Sequence, residues 1–566
     1  MELPIGFDDF GKVRANNLKF VDKTLFIKEV LDNRHIEVSI ITRPRRFGKT
    51  LNLSTLHHFL AAEVNQQKTA GMFADLKIAA VDNGAYMQYQ GQYPVIFVSF
   101  KDAKGNTAQK IFRAIQLVMQ KLYRAHNYLL NSAQLSPNDK ELFNTFLTGA
   151  ADKITLTKAL EILCELLAKH IKKKVFLLID EYDTPIQSGY LHGYYNEITD
   201  FMRGMFGAAL KTNPYLDRAV ITGILRVAKE SLFSGLNNVV VYSLLNPKYS
   251  QYFGFTETEV NELLKQANLS EQEPKVRAWY NGYVFGKTVV YNPWSIVNYF
   301  VNNGSLQPYW VNTSDNNLIK TLLLESNTEF KAKFELLLRE ETVTAVIDEN
   351  VVFGDLKQNN RAIWSLLLMS GYLKSLATTN DMGNIICQCA IPNFEVKTLY
   401  CNIIKDWLSN GDGIIWYQNF LTHLLQGDIK EFVADFGQIL AQTVSFHDVA
   451  HNPEAFYHGF MLGLAAGVDQ KQYEVKSNRE SGVGRYDIAI IPKDTLKPAI
   501  ILEIKSVTPS KLSKRKSATV LQKEAQTALA QIDSNQYTTE LVQRGITNIV
   551  KIGLAFAGKE FRVATE

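Results

Sequence analysis

The chain has 566 residues, 46% apolar and 21% charged, with no long low-complexity tract, which excludes disorder and leaves room for two to four cores. A formal net charge of +4 is small for this length, so overall charge does not argue a nucleic-acid partner. The four cysteines (Cys164, Cys387, Cys389, Cys401) are too few and too irregular for a disulfide framework or a Cys-rich zinc site.

The N-terminus, MELPIGFDDF, lacks a basic region followed by an apolar stretch, and no apolar run reaches the roughly 18 residues of a membrane span. A cytoplasmic location with no membrane partner is therefore expected. Residues 1–255 alternate β-rich runs with amphipathic stretches: Val38 to Thr42 and a helix from Thr50, Pro94 to Phe100 and a helix, Val175 to Ile179, then Ala219 to Leu225. That alternation predicts an α/β domain with a parallel sheet covered by helices. Residues 256–430 read as mainly helical, with aromatic connectors WYNGY (279–283) and YNPW (291–294) whose Asn-Gly and Asn-Pro pairs mark turns. From 431 the order is helix, helix, strand (Tyr473 to Val475), strand (Tyr486 to Ile491), strand (Ala499 to Ile504), helix (Ala518 to Ile532) and strand (Val550 to Phe556), a second α/β unit. The short apolar run Phe460 to Val468 reads as a buried helix.

The first strand leads into Arg43-Pro44-Arg45-Arg46-Phe47-Gly48-Lys49-Thr50, followed by the helical LNLSTLHHFL. This is the strand, loop and helix context of a P-loop nucleotide site. Gly48 would let backbone N–H groups approach phosphates, Lys49 would reach the β- and γ-oxygens of ATP, and Thr50 would place its hydroxyl on Mg²⁺. Arg45 and Arg46 are expected contacts in the same loop. The match to G-x-x-x-x-G-K-[ST] is incomplete, because Arg43 occupies the first-glycine position.

A second run, KKVFLLIDE, is a buried strand ending in Asp180 and Glu181, and on a parallel sheet that end lies where ligands collect. Asp180 would hold Mg²⁺ and Glu181 would polarise the attacking water; the bland alternative is a pair of acids capping a turn. In AVITGILR, Thr222 could sense the γ-phosphate and Arg226 could stabilise transferred charge, or pair with a surface acid. An arginine serving a neighbouring subunit would require a homo-oligomer.

Near the C-terminus, Asp487 begins one strand, and Glu503 and Lys505, two apart in the next, leave the same face. Two carboxylates about 4 Å apart repel by roughly 4 kcal/mol at an effective dielectric near 20. A divalent cation removes that cost, and oxygen ligands suit Mg²⁺ or Mn²⁺, so Asp487 and Glu503 are expected metal ligands, with Lys505 placing the nucleophile for phosphodiester hydrolysis. Glu454, near a helix start, could add a ligand or be a dipole-favoured first-turn acid. Gln531 could reach the site or face solvent. The cations of KLSKRK (Lys511 to Lys516) could contact phosphate or be solvated.

These segments together resemble the bacterial AAA-ATPase-like proteins that carry a C-terminal PD-(D/E)XK nuclease superfamily domain. The resemblance rests on LPIGFDDF (3–10), FVDKT (20–24), RPRRFGKT (43–50), LLIDEYDTPI (177–186), ITGILRVAKESLFSGLNN (221–238), WYNGYVFG (279–286), YNPWS (291–295), and SNRESGVGRYDIAI followed by ILEIK. It implies a restriction-endonuclease-like C-terminal fold, and domains at 1–255 (nucleotide-binding), 256–430 (helical lid and connecting region) and 431–566 (nuclease-like). It implies that an arginine-rich PRRFGK[ST] loop binds ATP through Lys49 and Thr50, with Asp180 and Glu181 as the Walker B pair. Asp487, Glu503 and Lys505 become the nuclease core with Glu454 as the preceding helical acid, and nucleic acid, DNA foremost, becomes the expected partner. The alternative expectation is an ATP-dependent switch whose nuclease-like domain binds nucleic acid or a partner without cutting.

Overall fold

The computed structural model describes residues 2–225, 232, 236–311, 317–338, 340–350, 356, 359–408, 413–443, 461, 468, 472–481, 484–507, 517–557 and 560–566. They fall into two compact units, Met1–Ser314 with Thr344–Glu395, and Asp315–Val343 with Val396–Glu566. Residues 256–430 are thus divided between the two units. Among the described residues no helix is long and apolar enough to cross a membrane.

The first unit is built on five parallel strands: β1 (Val38–Thr42), β2 (Val95–Ser99), β3 (Val175–Asp180), β4 (Leu216–Gly223) and β5 (Val239–Tyr242), in the order β2-β3-β4-β1-β5. Both β1 and β3 are buried at every position, as strands covered by helices on both faces must be, and this explains their unbroken apolar runs. The short strand β5 was not expected, although its Val-Val-Val-Tyr run favours extended structure; it pairs with β1. Helix α1 (Lys49–Leu60) follows β1 directly, and α2 (Ala108–Ala125) follows β2. The crossover order matters for the site: β4 lies between β1 and β3, so a residue near its end can touch what both of them present.

Residues 256–314 and 344–395 add helices, among them Glu257–Gln266, Glu273–Tyr280 and Pro293–Val301, so that Trp279-Tyr280 and Pro293-Trp294, expected in connectors, are helical; they also form two hairpins. In the longer one, Lys374–Asp381 pairs with Asn384–Ala390 across Met382 and Gly383, which have φ of 47° and 84°. Two consecutive left-handed residues give the primed turn that matches strand twist. Methionine there disguised the turn, since Asn or Asp is the usual signal.

The second unit holds a mixed sheet in chain order: β6 (Tyr473–Ser481), β7 (Gly484–Pro492), β8 (Ala499–Ser506), β9 (Ile549–Ala557) and β10 (Glu560–Thr565). Only β8 and β9 are parallel, joined through helix α3 (Ser517–Ser534). Period-two alternation splits β8 cleanly. Ile500, Leu502 and Ile504 pack with Phe432, Phe436 and Phe556 on one face, while Ile501 packs with Ile532 and Leu541 on the other. Glu503 and Lys505 share the second face, that of α3. This unit's sheet and helix therefore have the α/β architecture expected for residues 431–566.

Candidate functional sites

In the first unit Asp180 ends β3, and both of its carboxylate oxygens are engaged. The Thr50 hydroxyl donates to Oδ2 at 2.7 Å and the Thr222 hydroxyl donates to Oδ1 at 2.6 Å. Sheet register explains the second contact: Ile179 pairs with Ile221, so the next residues, Asp180 and Thr222, stand side by side. Asp180 is fully buried, and burial pushes its carboxyl above the usual range, partly offset by these two hydroxyls.

Gly48 adopts φ 79° immediately before α1, a left-handed turn that a side chain would strain, and a Cβ there would meet no described residue within 4 Å. Open space thus lies at the N-terminus of a helix, where backbone donors and the helix dipole favour anions. Lys49 is buried, and its Nζ donates to the carbonyls of Arg43 at 3.0 Å and Pro44 at 2.9 Å. Burial lowers its pKa while Glu181, Asp180 and Asp183 pull the other way. Glu181 follows Asp180 with φ 51°, a costly conformation for a non-glycine residue, and accepts from the Thr184 hydroxyl at 3.2 Å.

The loop arginines divide by role. Arg43, at the first-glycine position, is wholly buried, and its guanidinium donates to the carbonyls of Thr42, Tyr242 and Lys248 at 2.7, 2.9 and 3.2 Å. It also lies over the rings of Phe253 and Phe285, so it braces the base of the loop from within. Arg45 donates to Gln187 Oε1 at 3.2 Å, and Arg46, with φ 67°, lies 4.3 Å from the Trp294 ring. Gly48, Lys49, Thr50, Asp180 and Thr222 are thus brought together, with Glu181 adjoining, while Arg45 and Arg46 turn to other partners. Arg226 lies outside the described residues.

Three neighbours escaped sequence reasoning. Asp183, 5% exposed, accepts from the backbone N–H groups of Ile224 and Leu225 at 2.9 and 3.0 Å and so fixes the chain leaving β4. Trp310 donates its indole N–H to the Arg45 carbonyl at 3.1 Å. Glu395 is fully buried, accepts from Trp310 N–H at 2.5 Å and from the Ser295 hydroxyl at 2.8 Å, and is pushed up to about 7 by burial. Only Asp183 had a sequence signal, as a third acid in IDEYD.

In the second unit, Asp487 on β7 and Glu503 on β8 are adjacent. Ile488 pairs with Leu502, and the Ile504 N–H donates to Asp487 Oδ2 at 2.7 Å. Lys505 Nζ stands 3.5 Å from Glu503 Oε1. Glu503 is 2% exposed and its Oε2 is buried with no hydrogen-bond partner among the described residues. Burial first, and the Asp487 charge second, push its carboxyl up to about 8, while Lys505 pulls it down. An orphaned buried oxygen beside a second carboxylate is costly unless a cation completes it. These donors fit a hard divalent ion: Mg²⁺ takes oxygen ligands and is commonly held by one or two carboxylates plus substrate and water. Among the described residues no group of three or more His, Cys, Asp or Glu gathers as a metal cage. Glu454 and Lys511 to Lys516 lie outside the described residues.

Gly553 pairs with Glu503 in register on β9, and a Cβ on it would lie 2.2 Å from the Ala525 carbonyl of α3. Glycine therefore lets the helix backbone close onto the sheet beside the acid pair. Gln531 is turned to the Tyr537 hydroxyl, 3.4 Å away.

Comparison with known proteins agrees with this division. Residues 4–233 match a family model described as predicted AAA-ATPase, and residues 452–566 match one described as PD-(D/E)XK nuclease superfamily. A relative from Azotobacter chroococcum mcd 1, described as an uncharacterized protein in the vnfD 5′ region, is 26% identical over 512 residues, 87% of each chain. The chain accordingly joins an N-terminal AAA-ATPase-like domain to a C-terminal domain of the PD-(D/E)XK nuclease superfamily.

Proposed function

We propose that the protein hydrolyses phosphodiester bonds of nucleic acid at Asp487, Glu503 and Lys505, under the control of ATP bound at Gly48, Lys49 and Thr50. The observation that carries the nuclease reading is Glu503: a buried carboxylate with one oxygen unpartnered among the described residues, beside Asp487 and 3.5 Å from the Lys505 ammonium. Asp487 and Glu503 would hold Mg²⁺ or Mn²⁺, which when bound would polarise the scissile phosphate and lower the pKa of water. Asp487 holds β8 in place through the Ile504 N–H, so the acid pair is fixed before substrate arrives. Lys505 offers a cation beside that pair to orient the attacking water and offset charge on the phosphate. The bond from phosphorus to water oxygen forms as the bond to the departing sugar oxygen breaks.

At the other site, Thr50 and Asp180 present two oxygens 2.7 Å apart, a fit for Mg²⁺, and Lys49 stands at the head of α1 ready to exchange loop carbonyls for phosphate oxygens. Glu181, following Asp180, would orient water for ATP hydrolysis.

The test is cleavage of labelled single- and double-stranded DNA and RNA with Mg²⁺ or Mn²⁺ by the wild type and Glu503→Gln. Cutting by the wild type that is lost in the variant, with ATP binding kept, supports the reading. Cutting that survives Glu503→Gln places the chemistry elsewhere. No cutting by either protein, with nucleic acid still bound, favours a switch that binds without cleaving.

A further inference from the structure

Helix α2 carries a row of cations with no acid anywhere in the helix. Its sequence, AQKIFRAIQLVMQKLYRA, buries Ile111, Ile115, Met119, Leu122 and Tyr123. The opposite face presents Lys110, Arg113, Leu117, Lys121 and Arg124, at steps of three, four, four and three residues, all exposed. These cations span about 21 Å at 1.5 Å per residue.

Two further observations separate this row from an ordinary solvated face. First, several helical cations elsewhere pair with an acid on their own helix, as Lys28 with Asp32, Lys169 with Glu165, Arg203 with Asp200 and Lys333 with Glu329, and Lys140, Lys265 and Lys275, which make no salt bridge to a described residue, still share their helices with acids. None of Lys110, Arg113, Lys121 and Arg124 makes a salt bridge to a described residue, and Arg113 spends its guanidinium on the neutral Gln116. Second, the N-terminal end of the row opens into a groove of about 430 Å³ lined by Gln109, Lys110, Phe112, Arg113 and Lys153. Lys153 lies 3.9 Å from the Phe112 ring and 2.8 Å from Glu197, the acid that partly offsets the groove's charge.

We propose that the exposed face of α2 is a nucleic-acid docking surface on the AAA-ATPase-like domain, contacting phosphates through Lys110, Arg113, Lys121 and Arg124. Unpaired cations along one helix face complement a polyanion whose phosphates recur every 3.4 Å per strand, and such contacts are sequence-independent. An anionic membrane is the poorer match: a membrane-surface helix needs a broad apolar face, and here that face is inside the domain, leaving only Leu117, 51% exposed. The inference rests on the proposed function in taking nucleic acid as the substrate, and concerns capture rather than cutting.

The experiment uses the full chain in EDTA, so that no cleavage occurs, and follows binding of labelled single- and double-stranded DNA and of phosphatidylserine vesicles over a range of salt. It compares the wild type with the fourfold variant Lys110→Gln, Arg113→Gln, Lys121→Gln, Arg124→Gln. Glutamine keeps helix propensity, and an unchanged far-ultraviolet spectrum and melting temperature verify the fold. The expected result is at least ten-fold weaker DNA binding, with the logarithmic salt slope reduced by about 3 to 4, the value for four lost phosphate contacts. Unchanged affinity and slope overturn the proposal, as does wild-type binding to vesicles but not to DNA. Failure of the cleavage reading shows separately, as a fourfold variant and wild type that differ in binding while neither cuts in Mg²⁺.

Discussion

The Thr222 hydroxyl donates to Asp180 Oδ1 at 2.6 Å, and this bond ties the end of β4 to the end of β3 at the base of the proposed nucleotide site. Thr222 thus acts through Asp180. Thr222→Val keeps shape and removes the donor, leaving a buried carboxylate oxygen unsatisfied at about 1–3 kcal/mol. Melting temperature should fall and the Mg²⁺ requirement for ATP binding should rise, with Thr222→Ser restoring both. A valine variant that melts and binds like the wild type would show that the hydroxyl carries nothing.

Trp310 predicts a second effect. Its indole N–H holds the Arg45 carbonyl, and its own backbone is held by Glu395. Trp310→Phe removes one hydrogen bond worth about 1 kcal/mol and keeps an aromatic ring, so ATP affinity should weaken about five-fold by calorimetry. Unchanged affinity would mean that the loop keeps its shape without this brace.

Gly553→Ala should destabilise the C-terminal unit. The added methyl lies 2.2 Å from the Ala525 carbonyl and 2.6 Å from the Leu529 nitrogen, backbone atoms that cannot rotate away. Overpacking of this kind costs about 1–3 kcal/mol, and the shift of α3 would reach the sheet beside Glu503. Chemical denaturation followed by spectroscopy measures it, and a neutral result would mean that the helix can slide off without loss.

Acidity offers a further check. Glu503 and Glu395 have folded pKa values of about 8 and about 7, both raised above the ordinary 4.5, so the folded state binds protons that the unfolded state has released. Their contribution to stability is greatest below about pH 4.5 and declines as pH rises toward 8 and 7 respectively. Relative to the wild type, Glu503→Gln and Glu395→Gln should therefore become more stable as pH rises from 5 to 8 in metal-free buffer. Adding Mg²⁺ at pH 8 should narrow that gap for Glu503→Gln and leave it for Glu395→Gln. Parallel pH profiles for variants and wild type would contradict the burial of these acids.

What the sequence revealed follows from what each residue does locally. Strands β1 and β3 were legible because a strand covered on both faces must be apolar throughout, and the polar residues that follow them, Lys49-Thr50 at the head of α1 and Asp180-Glu181 at the end of β3, stand out against those runs. Asp487, Glu503 and Lys505 were legible because strand alternation fixes their faces. Arg43 was not, because its role depends on the carbonyls of Tyr242 and Lys248, far away in the chain. Glu395 and Gly553 were hidden for the same reason: an acid beside an ordinary helix start and a glycine inside a strand gain meaning only from Trp310 and from Ala525.

The central claim, that ATP at Lys49 controls cutting at Glu503, is tested most directly by the initial rate of cleavage of one labelled nucleic acid against ATP concentration, at fixed Mg²⁺, for wild type, Lys49→Ala and Glu503→Gln. The account predicts an ATP-dependent rate in the wild type, a rate in Lys49→Ala that no longer responds to ATP, and no cutting by Glu503→Gln at any concentration. Equal ATP-independent rates in the wild type and Lys49→Ala would contradict the coupling, and cutting by Glu503→Gln would contradict the site itself.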